Sequence, residues 1–121
     1  MGGAHSRTKG HSYERAIAIF YRAMGFPAKR TLQSREGFEG ADVQGTPWWV
    51  ECKRYGSIGK VMGWWEQASK DVQRCKATTA SSIQNVVLHI KEDRGPDLVV
   101  ISLDHWKQLV EEAVMSRRDQ R

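Results

Sequence analysis

Hydrophobic positions recur at two different periods along the chain, and the places where the period changes mark its elements. From Ser12 to Met24 the apolar residues Tyr13, Ala16, Ile17, Phe20 and Met24 return at steps of three and four, the spacing of one helix face. Ser12 is placed to cap that helix and Gly25 to end it. Phe26 to Leu32 predicts a strand, and Gln33 to Gly40, with Ser34, Gly37 and Gly40, predicts a loop. Two short strands follow, Ala41 to Gln44 and Trp48 to Lys53, joined through Gly45-Thr46-Pro47, a composition suited to a hairpin connection. Helical spacing resumes at Val61, Trp64, Trp65, Ala68, Val72 and Cys75 and predicts a second helix to about Ala77. Beyond a polar connector from Ala77 to Ser82, Asn85 to Ile90 and Leu98 to Leu103 read as strands separated by the charged turn Lys91 to Asp97. Asp104 stands as the cap of a last helix, His105 to about Met115. The order α-β-β-β-α-β-β-α, without internal repeats, predicts an α/β fold with a mixed central sheet flanked by helices. It occupies residues 12–116 as one domain, between a flexible basic leader, 1–11, and a basic tail, 117–121.

Composition narrows the class. At 121 residues, with 40% hydrophobic and 27% charged side chains, the chain has the makings of one ordinary core rather than a disordered tail. No stretch approaches the roughly 18 apolar residues of a membrane span. Cys52 and Cys75 lie far apart with no CxxC pair and no secretory leader before them, which suits the reducing cytosol of a prokaryote or an infected host. The net charge of +5 implies an anionic partner. Its distribution says more. Residues 1–35 hold seven basic and one acidic side chain, residues 36–53 one basic and four acidic, and residues 54–80 five basic and two acidic. An acidic island sits between two basic segments.

The island contains the candidate chemistry. Strand side chains alternate, so Trp48, Val50 and Cys52 point one way, as core, while Trp49, Glu51 and Lys53 point the other. If Gly45-Thr46-Pro47 closes a hairpin, Asp42 and Glu51 can come together across the ladder. Two carboxylates held together repel, and one takes up a proton unless a cation lies between them. A hard divalent ion such as Mg²⁺ resolves the conflict, because it accepts one or two carboxylates and completes its shell with water and phosphate oxygens. Such an ion polarises a phosphodiester and activates a bound water, and Lys53 is placed to orient that water or offset transition-state charge. The competing reading is a solvated strand face with a weak ion pair. The glycines around Asp42 and the apolar setting of Glu51 and Lys53 weigh against it.

The series Gly40-Ala41-Asp42, eight residues, then Glu51-Cys52-Lys53 resembles the PD-(D/E)XK nuclease superfamily. Lys9-Gly10, Glu14-Arg15, Gly25-Phe26 and Arg30 extend the likeness, from Lys9 to Arg54, to its Holliday junction resolvase branch. Ala41 stands where the family name has proline. The resemblance implies a restriction-endonuclease-like fold, with Asp42, Glu51 and the Cys52 backbone carbonyl as metal ligands and Lys53 as the catalytic lysine. Glu14 would be a third acidic group at the metal, directly or through water, and Ser34 would approach the scissile phosphate. Gln67 is a candidate accessory residue, with a solvent-facing glutamine as its equal alternative. The implied cofactor is Mg²⁺, with Mn²⁺ substituting. The implied substrate is four-way junction or other branched DNA, cut by a homodimer of the kind used in phage or prokaryotic recombination and repair. Arg7, Lys9, Arg30, Arg35, Arg54 and Lys60 are candidate phosphate contacts as a group. Trp64 and Trp65 are either base-stacking residues or core. The four histidines lack metal-ligand spacing. Two alternatives stand beside the resolvase reading: a restriction-like or repair nuclease on linear duplex or flap DNA, and a non-catalytic DNA-binding module.

Overall fold

In a computed structural model, which describes residues 2–32, 40–55, 59–78 and 84–119, the elements follow the expected order. The first helix, α1, spans Gly2–Ala23. It ends where Gly25 predicts, because Gly25 takes φ +102° and closes a Schellman turn. Gly25 N–H donates to Arg22 O at 3.0 Å and Phe26 N–H to Tyr21 O at 3.2 Å, satisfying carbonyls the helix would otherwise leave open. Its start differs from the expected Ser12, since residues placed in a leader are helical from Gly2. Lys9 reaches across to Asp93, with Nζ 2.9 Å from the carboxylate, a tertiary contact that no local pattern announces.

The strands are β1 (Lys29–Arg30), β2 (Val43–Gln44), β3 (Trp49–Tyr55), β4 (Val86–Glu92) and β5 (Leu98–Val100), forming one sheet in the order β1-β2-β3-β4-β5. β3 and β4 are parallel and the other pairs antiparallel, a mixed sheet as expected. A parallel pair needs a crossover, and α2 (Val61–Thr78) lies within it. β1 is much shorter than Phe26 to Leu32. Phe26 turns instead into an aromatic cluster, its ring centroid 5.5 Å from Trp48 and 6.1 Å from Tyr21.

Helices cover both faces. On one, Tyr13, Ile17, Ala18 and Tyr21 of α1 pack with Ala28, Val43, Val50 and Val87. On the other, Ala68 and Val72 of α2 pack with Ala41, Trp49 and Val86. The alternation read from β3 therefore holds, with the addition that Trp49 is core for the second layer. β4 is buried from Val86 through Ile90, as a strand with both faces covered should be. The last helix, α3, spans Leu103–Asp119, so residues 117–119, assigned to a tail, are helical. Its cap is Ser102 rather than Asp104. The Ser102 hydroxyl accepts the His105 N–H at 3.0 Å, and the Ser102 carbonyl accepts the first helical bond from Trp106 at 3.0 Å, which places Asp104 inside the first turn.

Candidate active site

The site grows out of the β2–β3 hairpin. Gly45 makes the connection possible, with φ +91° and so close to the Pro27 carbonyl that a Cβ would lie 2.1 Å from its oxygen. Only glycine fits there. The Thr46 hydroxyl takes the Trp48 N–H at 3.2 Å and completes the turn. Val43 then pairs with Val50, and Asp42, just before β2, has its side chain within reach of the Glu51 carboxyl. Asp42 is held from three directions. Its N–H donates to Val50 O at 2.9 Å, its carbonyl accepts Thr31 N–H at 2.9 Å, and its Oδ2 accepts the Cys52 N–H at 2.9 Å. A carboxylate thus occupies the place on β3 where a further ladder bond would go. N–H and C=O of one strand residue face the same neighbour, so the Cys52 carbonyl also opens toward Asp42.

Glu51 is oriented by its own strand. Trp49 lies two residues back on the same face and donates Nε1–H to Glu51 Oε1 at 2.8 Å. Sequence reasoning missed this role for Trp49, although two-residue alternation contains it. Burial, followed by the Asp42 charge, pushes the Glu51 carboxyl up to about 8, against the opposing pull of Trp49 and Lys53. Glu14, half-buried on α1, rises to about 7, again through burial and then Asp42, while Arg30 and Lys53 oppose the shift. The Cys52 thiol is pushed up by burial and by Asp42, Glu14 and Glu51 together. One neighbourhood therefore holds three carboxyl groups whose charges act on one another, with Lys53 and Arg30 as the local cations.

Among the described residues no group of three or more His, Cys, Asp or Glu side chains is drawn tightly enough to hold a metal ion. The close pair is Asp42 and Glu51, and Glu14 acts on it at longer range. The donor set that a metal would meet is all oxygen, two carboxylates and a backbone carbonyl, which suits a hard divalent ion that keeps several waters. Burial and the Asp42 charge both oppose ionisation of Glu51, and a cation between the two carboxyls would relieve that opposition.

The other candidates are dispersed. Lys9 and Arg54 both bind Asp93 at the β4–β5 turn, so their charges are partly spent within the fold. Lys60 is exposed just before α2. Gln67 donates to Asp71 of its own helix at 3.1 Å, in keeping with the solvent-facing alternative. Trp64 stacks on Tyr55, with centroids 5.0 Å apart at 19°, and Trp65 packs against the α2 layer. Ser34, Arg35 and the Arg7 side chain lie outside the described residues. His89 is a core group, 2.8 Å from the Tyr21 hydroxyl, and burial lowers it to about 4. No helix among the described residues is long and apolar enough to cross a membrane.

Comparison with curated proteins and with solved structures returned no match. The model of one protein family, described as "Phage putative PDDEXK endonuclease", matches residues 5–119. Nearly the whole chain is covered, including the α1 carboxyl, the Asp42 hairpin and the Glu51-Cys52-Lys53 strand, and the chain belongs to this PD-(D/E)XK endonuclease family.

Proposed function

We propose that the protein is a Mg²⁺-dependent DNA endonuclease that resolves four-way junctions, with Mn²⁺ able to replace Mg²⁺. The observation that carries the metal-site reading is the meeting of the Asp42 and Glu51 carboxyls at the open end of the β2–β3 hairpin, with Lys53 on the Glu51 face of β3. Asp42, Glu51 and the Cys52 carbonyl would hold the ion, with Glu14 reaching it through water. When bound, a divalent cation supplies a positive charge that polarises the phosphodiester and lowers the pKa of a coordinated water.

The chain's own residues do the rest. Trp49 fixes the Glu51 rotamer, the Cys52 N–H fixes Asp42, and neither carboxylate has to reorganise when substrate arrives. Lys53 offsets the charge that builds on the phosphoryl oxygens during in-line attack. Arg30 and Lys60, with Arg7, Ser34 and Arg35, would hold the DNA backbone on either side, a contact that weakens steeply with salt. Lys9 and Arg54 can join only by giving up Asp93. Junction cleavage calls for two symmetry-related sites and hence a homodimer, acting in the cytosol.

The test compares a synthetic four-way junction with matched linear duplex and flap DNA under Mg²⁺. Symmetric nicking of the junction, with the other substrates at least about tenfold slower, supports the resolvase reading. Equal cutting of the linear duplex replaces it with a restriction-like or repair nuclease. Salt-sensitive binding without cleavage in Mg²⁺ or Mn²⁺ would leave a DNA-binding module.

A further inference from the structure

The two tryptophans at the start of α2 part company in the structure. Trp65 turns into the layer that Ala68 and Val72 make with Trp49. Trp64 is outside that layer among the described residues, and lies against Tyr55, the last residue of β3, with ring centroids 5.0 Å apart and planes at 19°. Trp64 covers one face of the Tyr55 ring, yet Tyr55 is still 47% exposed. A stacked aromatic pair left open to water can take a further flat ring.

Its position says which ring. Alternate strand residues share a face, so Trp49, Glu51, Lys53 and Tyr55 form one row along β3, and α2 meets that row at both ends, with Trp64 on Tyr55 and Val72 in the layer with Trp49. The stack stands two residues beyond Lys53, roughly 6 to 7 Å along the strand. That is about the step of one extended nucleotide, so a DNA strand whose phosphate lies at Glu51 and Lys53 brings an adjacent base to Tyr55. Lys60 is exposed one turn before Trp64, whose N–H donates to its carbonyl at 3.1 Å. The first turn of α2 carries no acidic residue, and Glu92, the β4 partner of Tyr55, keeps its side chain against Gly95. Gly63 is bare as well. A Cβ there would meet nothing within 4 Å, so no contact among the described residues calls for glycine at a position where it weakens the helix, and the backbone beside Trp64 is open to close approach. An open aromatic face with lysines near it matches a polymer that alternates phosphates with flat bases.

We propose that the Tyr55–Trp64 stack binds one unpaired nucleobase of the DNA strand being cut, next to the scissile phosphate. The proposal rests on the endonuclease reading and adds a preference to it. DNA with a base already free of its neighbours, at a branch point, flap or mismatch, binds more tightly than continuous duplex, which must first give up its own stacking.

The test is equilibrium binding of the full chain by fluorescence anisotropy, with Mg²⁺ chelated so that nothing is cut, to four-way junctions that each carry one abasic nucleotide, its position stepped through the strand near the branch point. The wild type should show one position, or two adjacent ones, at which loss of the base weakens binding about tenfold. Tyr55→Leu should bind all these junctions alike, and Tyr55→Phe should keep the sensitivity, because the ring and not the hydroxyl stacks. Circular dichroism checks folding, and should Tyr55→Leu unfold, Trp64→Leu decides by the same criterion. A wild type with no base-sensitive position, or a sensitivity that survives loss of the ring, overturns the proposal. Base sensitivity without cleavage in Mg²⁺ counts against the metal site and leaves the stack standing, whereas cleavage without base sensitivity does the reverse. A chain that binds none of these DNAs overturns both.

Discussion

β3 and β4 lie side by side, seven residues each, in register from Trp49 opposite Val86 to Tyr55 opposite Glu92, yet they treat their polar groups in opposite ways. On β4 the buried polar residue is His89, which finds the Tyr21 hydroxyl at 2.8 Å and is kept neutral, with its pKa lowered to about 4. The Tyr21 phenol is raised to about 12, so it too stays neutral. On β3 the half-buried Glu51 faces another carboxylate and is raised to about 8. One strand resolves its polar burden within the protein, and the other sets two carboxyls against each other. Local conflict of this kind is expected where a fold serves chemistry.

The contrast is broken most severely at β3. Asp42→Asn or Lys53→Ala should lower junction cleavage by about 10²–10⁴-fold while thermal unfolding stays within a few degrees of wild type; single-turnover kinetics beside calorimetry will show it. The same experiment on β4 should give the reverse. His89→Leu leaves the buried Tyr21 hydroxyl without its partner and should cost about 1–3 kcal/mol in urea unfolding, with the cleavage rate of the folded fraction unchanged.

A third change sharpens the comparison through pH. Glu14 and Glu51 hold their protons more tightly in the folded chain, at about 7 and about 8 against an ordinary 4.5. Below about 6.5 the lowered His89 works the other way, but above it the two carboxyls leave the metal-free fold with more bound protons than the unfolded chain, and stability falls as pH rises from about 6.5 through about 8. Glu51→Gln keeps an acceptor for Trp49 and removes the buried charge. It should stabilise the metal-free protein at pH 8.5 by about 1–3 kcal/mol and abolish cleavage, and Mg²⁺ should raise the wild-type melting temperature more at pH 8 than at pH 6. A metal-free stability that climbs over that range would contradict the assigned conflict. The smallest effect lies far from both strands, where Ser102→Ala should cost about 1 kcal/mol through the lost cap of α3.

These differences also explain which parts of the molecule could be read in advance. That Asp42 and Glu51 come together was legible from the hairpin composition of Gly45-Thr46-Pro47, but the register was not, because Val43 pairs with Val50 and Trp48 joins the turn as a fourth residue, with β3 starting at Trp49. The fold order was legible because the hydrophobic period changes at each boundary. What escaped depends on contacts distant in sequence. α1 begins at Gly2, and Lys9 on the added turns meets Asp93 across the fold. β1 shrinks because Phe26 joins Tyr21 and Trp48, and Lys9 and Arg54, basic enough to suggest phosphate, turn inward to Asp93. Asp104 and Ser102 are both good caps, and only the structure shows that the Ser102 hydroxyl takes the amide.

The central claim is that Asp42 and Glu51 form one cation-requiring site for phosphodiester cleavage. Its most direct test is single-turnover cleavage of a labelled four-way junction by wild type and Asp42→Asn at matched DNA occupancy, with Mg²⁺ and with Mg²⁺ chelated. The account predicts cutting by the wild type with Mg²⁺ alone, and binding without cutting by Asp42→Asn. Cleavage by Asp42→Asn at the wild-type rate, or wild-type cleavage that survives chelation, would contradict it.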